Sequence, residues 1–409
     1  MRMIDRIALA ALPLLLASPA FAQDEPAPVT PTSVVAEAAA EEWVAIAPED
    51  LLVMDLGPDA AGDARRVVIQ LMPAPFSQPW VENIRTLAAA HWWDGTSVNR
   101  VQDNYVTQWG DVTEEKPLPE GVVAPEVPYE VTVGVLGASP VYEDPVVIEE
   151  HNAESNRLLG LASSASTQEK RDQALVAFMS HVGLSPSNGF TPLEELAMLS
   201  ISTTQTRLTE QGWHDRDGFA HWVEFLNGWP IANIEELSWE NEDGSPAPDP
   251  GPRRPPHHLE APYEVVESSF FWPIHCYGYV GVGRGYAPDT GTGAELYTII
   301  GQPQRHMDRN LAVVGRIIEG AQHLSSLPRG SGDLGFYTEE EAHLRTPITS
   351  VLLASDMPEA PAYEYLDTSS ESFARYVNVR ANRDDPFYTV PAGGVDICSV
   401  QVPVRRTGE

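Results

Sequence analysis

Lysine is almost missing from this chain. Lys116 and Lys170 are the only two among 409 residues, and the 25 basic side chains in all face 59 carboxylates, for a formal net charge of −34. So acidic a surface repels phosphate backbones, which excludes nucleic acid as a partner. Cysteine is equally scarce, with Cys276 and Cys398 alone. Reduced thiols are expected if the chain stays in the cytosol. A disulfide is expected after export, where closing so long a loop stabilises by about 4–5 kcal/mol in the chain-entropy model. After the N-terminal segment no apolar run reaches the roughly 20 residues a bilayer demands, so no membrane span is expected in the mature chain.

Several chemistries lack their signature. There is no nucleophile elbow, so no Ser-His-Asp arrangement is argued. Gly281-Val282-Gly283-Arg284-Gly285 could suggest a phosphate loop, but turn formers (Ala287-Pro288-Asp289-Thr290-Gly291) follow it instead of a helix. His214, Asp215, Asp217 and His221 match no metal-site spacing and read as a solvated face beside Trp213 and Trp222. His257 and His258 fall in a linker, and no metal or other cofactor is implied.

Residues 1–22 carry Arg2 and Arg6, an apolar run from Ile7 to Ala17 and a small-residue close, Ala20-Phe21-Ala22. This describes a cleaved secretory signal, with a buried N-terminal helix as the competing reading, and it implies export, most simply to a periplasm. Residues 23–42 read as a disordered leader. Leu51–Leu56 and Arg65–Leu71 are strand candidates separated by turn formers. Ser77 is placed as the cap of a helix with Pro79 near its start and Trp80, Ile84, Leu87 and Ala88 on one stripe. Apolar and polar residues then alternate through Trp93–Asp111. Arg100 and Gln108, an even number of positions apart, are predicted to share one face. A guanidinium and an amide at an apolar hollow can hold a peptide backbone, but they supply no nucleophile.

Asp94-Gly95-Thr96, Arg100-Val101, Gln108, Gly110 and Asp111 match, without gaps, the core pattern of the cyclophilin-type peptidyl-prolyl isomerases, with Tyr105 in place of a Phe. A second block resembles that family's later strands: Pro273–Ala287, Gly291–Gly301 and His306–Gly320. The chain thus resembles a divergent, exported bacterial member of the family over roughly 50–111 and 265–357.

The resemblance implies a mainly β fold, a closed antiparallel barrel with capping helices. The barrel is expected in two pieces, 43–114 and 262–357. Between them lies a partly helical insertion, 115–261, with capping boxes at Ser166 and Thr191 and a Pro-rich linker at 241–258. Residues 358–409 form an extension with a helix over 370–381 and a strand around Cys398.

By the same resemblance Arg100 and Gln108 are the catalytic pair. Tyr105, Val106, Tyr297, His306, Met307 and Leu311 wall the proline pocket, and Gly285, Tyr286 and Ala287 offer backbone to the substrate. The pocket departs from the family at Leu311, where a His is usual, at His306 for a Trp, at Glu295 for a Gln and at Tyr297 for a Phe. The hydroxyl of Tyr297 needs a partner if it is buried. The implied activity is isomerisation of X-Pro bonds in proline-containing polypeptide clients without a cofactor; a proline-peptide binding or chaperone module without catalysis is the alternative.

Overall fold

The computed structural model describes residues 29–113, 115–136, 217–241, 263–383, 387–390 and 392–408, with single positions at 157 and 173. The signal segment, the capping boxes at 166 and 191, His214, Asp215 and most of the Pro-rich linker lie outside the described residues. Among the described residues no helix is long and apolar enough to cross a membrane.

The first ordered element is the helix α1 (Pro31–Ala36), capped by Thr30, with Val34 buried. Part of the segment expected to be disordered is therefore structured. Proline at the first turn and a Thr cap start the helix, and it docks on a helix of the C-terminal extension. Next come β1 (Trp43–Ala45), β2 (Leu51–Leu56) and β3 (Arg65–Leu71). The run Leu51-Leu52-Val53-Met54 does not alternate because both its faces are covered: Leu52 and Met54 join the main core, while Leu51 and Val53 join a second cluster with Ile46 and Tyr363.

Helix α2 (Gln78–Ala89) follows and buries Trp80, Val81, Ile84, Leu87 and Ala88. Ser77 precedes it without capping it. Its φ of 55° lies in the left-handed region and its hydroxyl is unpartnered, while the Gln78 amide donates to the carbonyls of Met72 and Phe76.

Strands β4 (Ser97–Val101) and β5 (Val106–Gly110) form a hairpin. The next four strands, β6 (Val131–Leu136), β7 (Trp222–Leu226), β8 (Trp229–Asn241) and β9 (Tyr263–Pro273), build a separate accessory sheet in the order β6-β9-β8-β7. This corrects two expectations. Asn241, placed at the start of the linker, ends a strand. Residues 263–273, expected to resume the barrel, pair with β8 along their whole length instead.

The barrel resumes at β10 (Tyr279–Val282), β11 (Leu296–Ile299) and β12 (Val313–Glu319). The single turn α3 (Gln322–Ser325) leads on to β13 (Ile348–Leu353). The eight strands run β13-β2-β3-β12-β10-β11-β5-β4 and every pairing is antiparallel. The two ends of that order meet, since Val98 N–H donates to Thr346 O at 2.9 Å and Ile348 N–H to Thr96 O at 2.9 Å. The mainly β, closed antiparallel barrel with flanking helices is thus present, and α2 contributes its apolar stripe to the barrel core.

The extension supplies β14 (Tyr363–Leu366), α4 (Glu371–Ala381, capped by Ser370) and β15 (Val404–Arg406), and β14 lies between β1 and β15 in a small third sheet. Cys398 sits in a 3-10 turn capped by Asp396 rather than in a strand, and it is disulfide-bonded to Cys276 across a sequence separation of 122. The β7–β8 turn, Asn227-Gly228, has positive φ at both residues, as a two-residue hairpin loop requires. It wedges between barrel and extension. Gly228 O accepts from Arg316 at 2.7 Å, Gly228 N–H donates to Thr368 Oγ1, and a Cβ at Gly228 would strike the Tyr365 ring.

One carboxyl in the accessory sheet governs a pH effect. Glu224 on β7 is 1% exposed, and neither of its oxygens has a hydrogen-bond partner among the described residues. Burial disfavours the anion and pushes its pKa from 4.5 up to about 8. The native state then holds a proton that the unfolded chain releases, so this contribution is whole below about 4.5 and is lost as pH rises through 8. Glu224→Gln is expected to flatten the stability profile in that window and to stabilise the protein above pH 8. Denaturant unfolding of both proteins at several pH values measures this, and superimposable profiles would contradict it.

Candidate active site

The hairpin β4–β5 places Arg100 directly opposite Gln108, after a register shift between Val98 and Arg100. On the next strands Gln108 faces Tyr297, and Tyr297 faces Gly281. Arg100, Gln108, Tyr297 and Gly281 therefore form one row across four strands. Their chain neighbours Val101, Trp109, Leu296 and Val282 belong to the core, so alternation turns the row to the barrel's outer face. Gly281 ends the row for a steric reason, since a Cβ there would collide with the hydroxyl of Tyr297.

Arg100 is held on three sides. Its Nε donates to Leu334 O at 2.7 Å, Nη2 to Gln102 Oε1 at 2.7 Å and Nη1 to Gln108 Oε1 at 3.1 Å. The guanidinium carbon lies 5.5 Å from the Tyr105 ring centre and 5.3 Å from that of Phe336. Burial draws its pKa below the ordinary arginine value, against a weaker opposing effect of Tyr105. An arginine stays charged even so. Gln108 is oriented from behind, because its Nε2 donates to Glu295 Oε2 at 3.2 Å. A carboxylate only accepts, so it fixes the amide nitrogen on its own side and turns the amide oxygen toward Arg100.

Beside this polar row lies an apolar hollow. Val106, Tyr297, Ile299 and Met307 form a small cluster of their own, with Tyr105 and Leu311 partly buried against it. The cleft that joins the two halves measures about 650 Å³. Tyr297 is 4% exposed, and its hydroxyl meets His275 Nε2 at 2.9 Å. Burial, reinforced by the charge of Asp308, holds the Tyr297 pKa well above 10.

Of the residues singled out in the sequence, Arg100, Gln108, Tyr105, Val106, Gly285, Tyr297, Met307 and Leu311 line this cleft together. His306 is not in the lining: it is exposed, with its ring stacked on Tyr105 at 6.1 Å. Tyr286, 97% exposed, and the exposed Ala287 project from a loop outside the cleft. At Gly285 the N–H is taken by Asp289 Oδ2 at 2.6 Å, while the carbonyl accepts from Arg284 at 2.8 Å. That loop is closed by its own aspartate, which the glycine spacing did not reveal. Leu334 and Phe336, also in the cleft lining, went unrecognised, as did Gln102 and His275. Their one sequence signal is the glycine-rich run Gly330-Ser331-Gly332-Asp333-Leu334-Gly335, which allows close approach to β4.

Among the described residues no group of three His, Cys, Asp or Glu side chains could hold a metal ion, and Asp217 is ion-paired with Arg305. The cleft can therefore bind a short apolar side chain beside a cation that donates hydrogen bonds.

No protein-family model matches the chain, and no curated protein does. Among solved structures, the crystal structure of cyclophilin AquaCyp293 from Hirschia baltica aligns with a TM-score of 0.48 at 18% sequence identity, covering 93% of this chain and 98% of that one.

Proposed function

We propose that the protein is a peptidyl-prolyl cis-trans isomerase that acts on X-Pro bonds of exported polypeptides. The observation that carries this reading is the row of Arg100 and Gln108 at the lip of the hollow formed by Tyr105, Val106, Tyr297, Met307 and Leu311. An X-Pro bond isomerises slowly because amide resonance holds it planar, with a barrier of about 18–20 kcal/mol. Twisting the bond localises the nitrogen lone pair. A guanidinium N–H aimed at that nitrogen binds the twisted amide better than the planar one, which is differential binding without covalent chemistry. The hollow holds the proline ring while Gln108 steadies the cation. No step calls for a metal or an organic cofactor.

Export to a periplasm belongs to the same proposal. It is supported by the signal-like segment 1–22 and by the pairing of Cys276 with Cys398, a bond suited to an oxidising compartment.

A second reading has its own observation. Three acceptors from the chain itself already occupy Arg100, and one of them, Leu334 O, is a backbone carbonyl of the kind a bound peptide offers. A cleft so arranged suits a proline-peptide binding module without catalysis. The two readings separate in one experiment, in which an X-Pro peptide is titrated by NMR and its cis–trans exchange rate is measured in the same samples. Faster exchange with added protein supports the isomerase. Saturable binding at the uncatalysed rate supports the binding module, and neither effect removes both.

A further inference from the structure

The hydroxyl of Tyr297 opens onto a buried chain of charges that the isomerase reading does not use. His275 is 1% exposed, and its Nδ1 lies 2.9 Å from Asp308 Oδ1. A carboxylate can only accept, so Nδ1 carries a proton toward Asp308, and in the neutral imidazole Nε2 then accepts from the Tyr297 hydroxyl. Asp308 is bound twice more, by the backbone N–H of His275 at 3.1 Å and by Arg305 Nε at 2.6 Å. The other side of Arg305 reaches Asp217. Asp217 lies in the segment leading into β7, and its second oxygen accepts the Phe219 N–H at 2.8 Å, which fixes the carboxylate in its own turn. Arg305 lies against the Phe219 ring at 5.1 Å. Burial opposes the charge on Arg305, but the bonds to Asp217 and Asp308 outweigh it and raise its pKa.

We infer that Asp217, Arg305, Asp308 and His275 are positioning residues that set the Tyr297 ring from the accessory sheet, so that the seating of that sheet tunes the proline pocket. Three features support this. The ring they hold is itself part of the pocket wall. The space for the hydroxyl end of the ring is built for it, since a Cβ at Gly281 would strike the oxygen and the ring carbon that bears it, and His275 supplies the hydroxyl's partner. The far end of the chain lies in the segment that leads into β7, a strand of a different sheet from the cleft, so the array links two structural units instead of bracing one. Buried ionic networks are costly to build and costly to break at one member, so displacement at Asp217 is felt along the line. The inference rests on the cleft being an X-Pro site and adds to that reading what controls it.

The test is a cycle between the two ends of the chain. Asp217→Asn is expected to weaken binding of an X-Pro peptide about 5- to 10-fold while the exchange rate at saturation changes less than about 2-fold. In the Tyr297→Phe background the same substitution is expected to change affinity less than about 2-fold, because the link is already cut. Equal weakening in both backgrounds would reduce Asp217 to a fold-supporting residue and overturn the inference. Should Asp217→Asn fail to fold by near-UV circular dichroism, Arg305→Lys, which keeps the cation, replaces it in the same cycle with the same two outcomes.

A ligand-free measurement separates this inference from the function it rests on. The Tyr297 hydroxyl proton, assigned by its loss in Tyr297→Phe, is expected to exchange slowly in the wild type and at least about 10-fold faster in Asp217→Asn. Unchanged exchange overturns the coupling even if peptides bind. A wild type that binds no X-Pro peptide overturns the proposed function and leaves the coupling to be decided by the proton alone.

Discussion

Arg100→Ala is expected to lower kcat/KM for X-Pro isomerisation by about 10²–10³-fold, the cost of removing one donor aimed at a transition state. Peptide affinity should fall far less, since the apolar wall of Val106, Tyr297, Met307 and Leu311 is untouched. The substitution also frees Leu334 O, Gln102 and Gln108 from a shared partner. Leu334 and Gln102 lie near solvent, and Gln108 keeps Glu295, so the barrel should remain folded. Arg100→Lys is expected to fail almost as badly. Lysine cannot place donors toward Gln102, Gln108 and a substrate nitrogen at once, nor lie flat between Tyr105 and Phe336. Exchange spectroscopy on a Pro-containing peptide measures both variants. An Arg100→Ala protein as fast as the wild type would end the mechanism proposed for this cleft.

The largest expected effect on stability comes from opening the Cys276–Cys398 bond. Its loop spans 122 positions, for which the chain-entropy model gives about 4–5 kcal/mol. In the double variant Cys276→Ser, Cys398→Ser this should lower the melting temperature by on the order of 10 °C. The bond ties the 3-10 turn at Ile397–Ser399 to the segment between β9 and β10. The extension is also held by the β1–β14 pairing and by the docking of α1 on α4, so the variant should unfold earlier without losing the sheet at room temperature. Thermal unfolding with and without reductant, beside the double variant, checks this. A loss under about 1 kcal/mol would mean that the other contacts suffice.

What could be read in the sequence was what local pattern and even spacing control. Arg100 and Gln108 were legible as a pair because alternation and a short turn bring positions eight apart into register. The need of Tyr297 for a partner was legible too, since a buried hydroxyl must bond. Its partner was not. His275 precedes β10, and the Tyr279–Gly281 stretch must turn back against β11 before the two side chains meet. Leu334 O reaches Arg100 across 234 positions, a contact that no window of residues contains.

The accessory sheet shows a different kind of miss. Asn227-Gly228 between Phe225 and Trp229 is a strong hairpin signal, and reading 115–261 as a partly helical insertion passed over it. Residues 263–273 were given to the barrel because they adjoin the second resembling block. Strand character alone does not say which sheet a strand joins, and the long ladder with β8 decides it.

The meeting of β4 with the segment before β13 has one more consequence. A barrel whose first and last strands already bond to each other has no row of vacant amides along its rim, so a client cannot join it by strand addition. On the proposed function, a client at the Arg100 cleft is held by side chains such as Arg100, Tyr105 and Met307 rather than by a ladder of backbone bonds to the barrel.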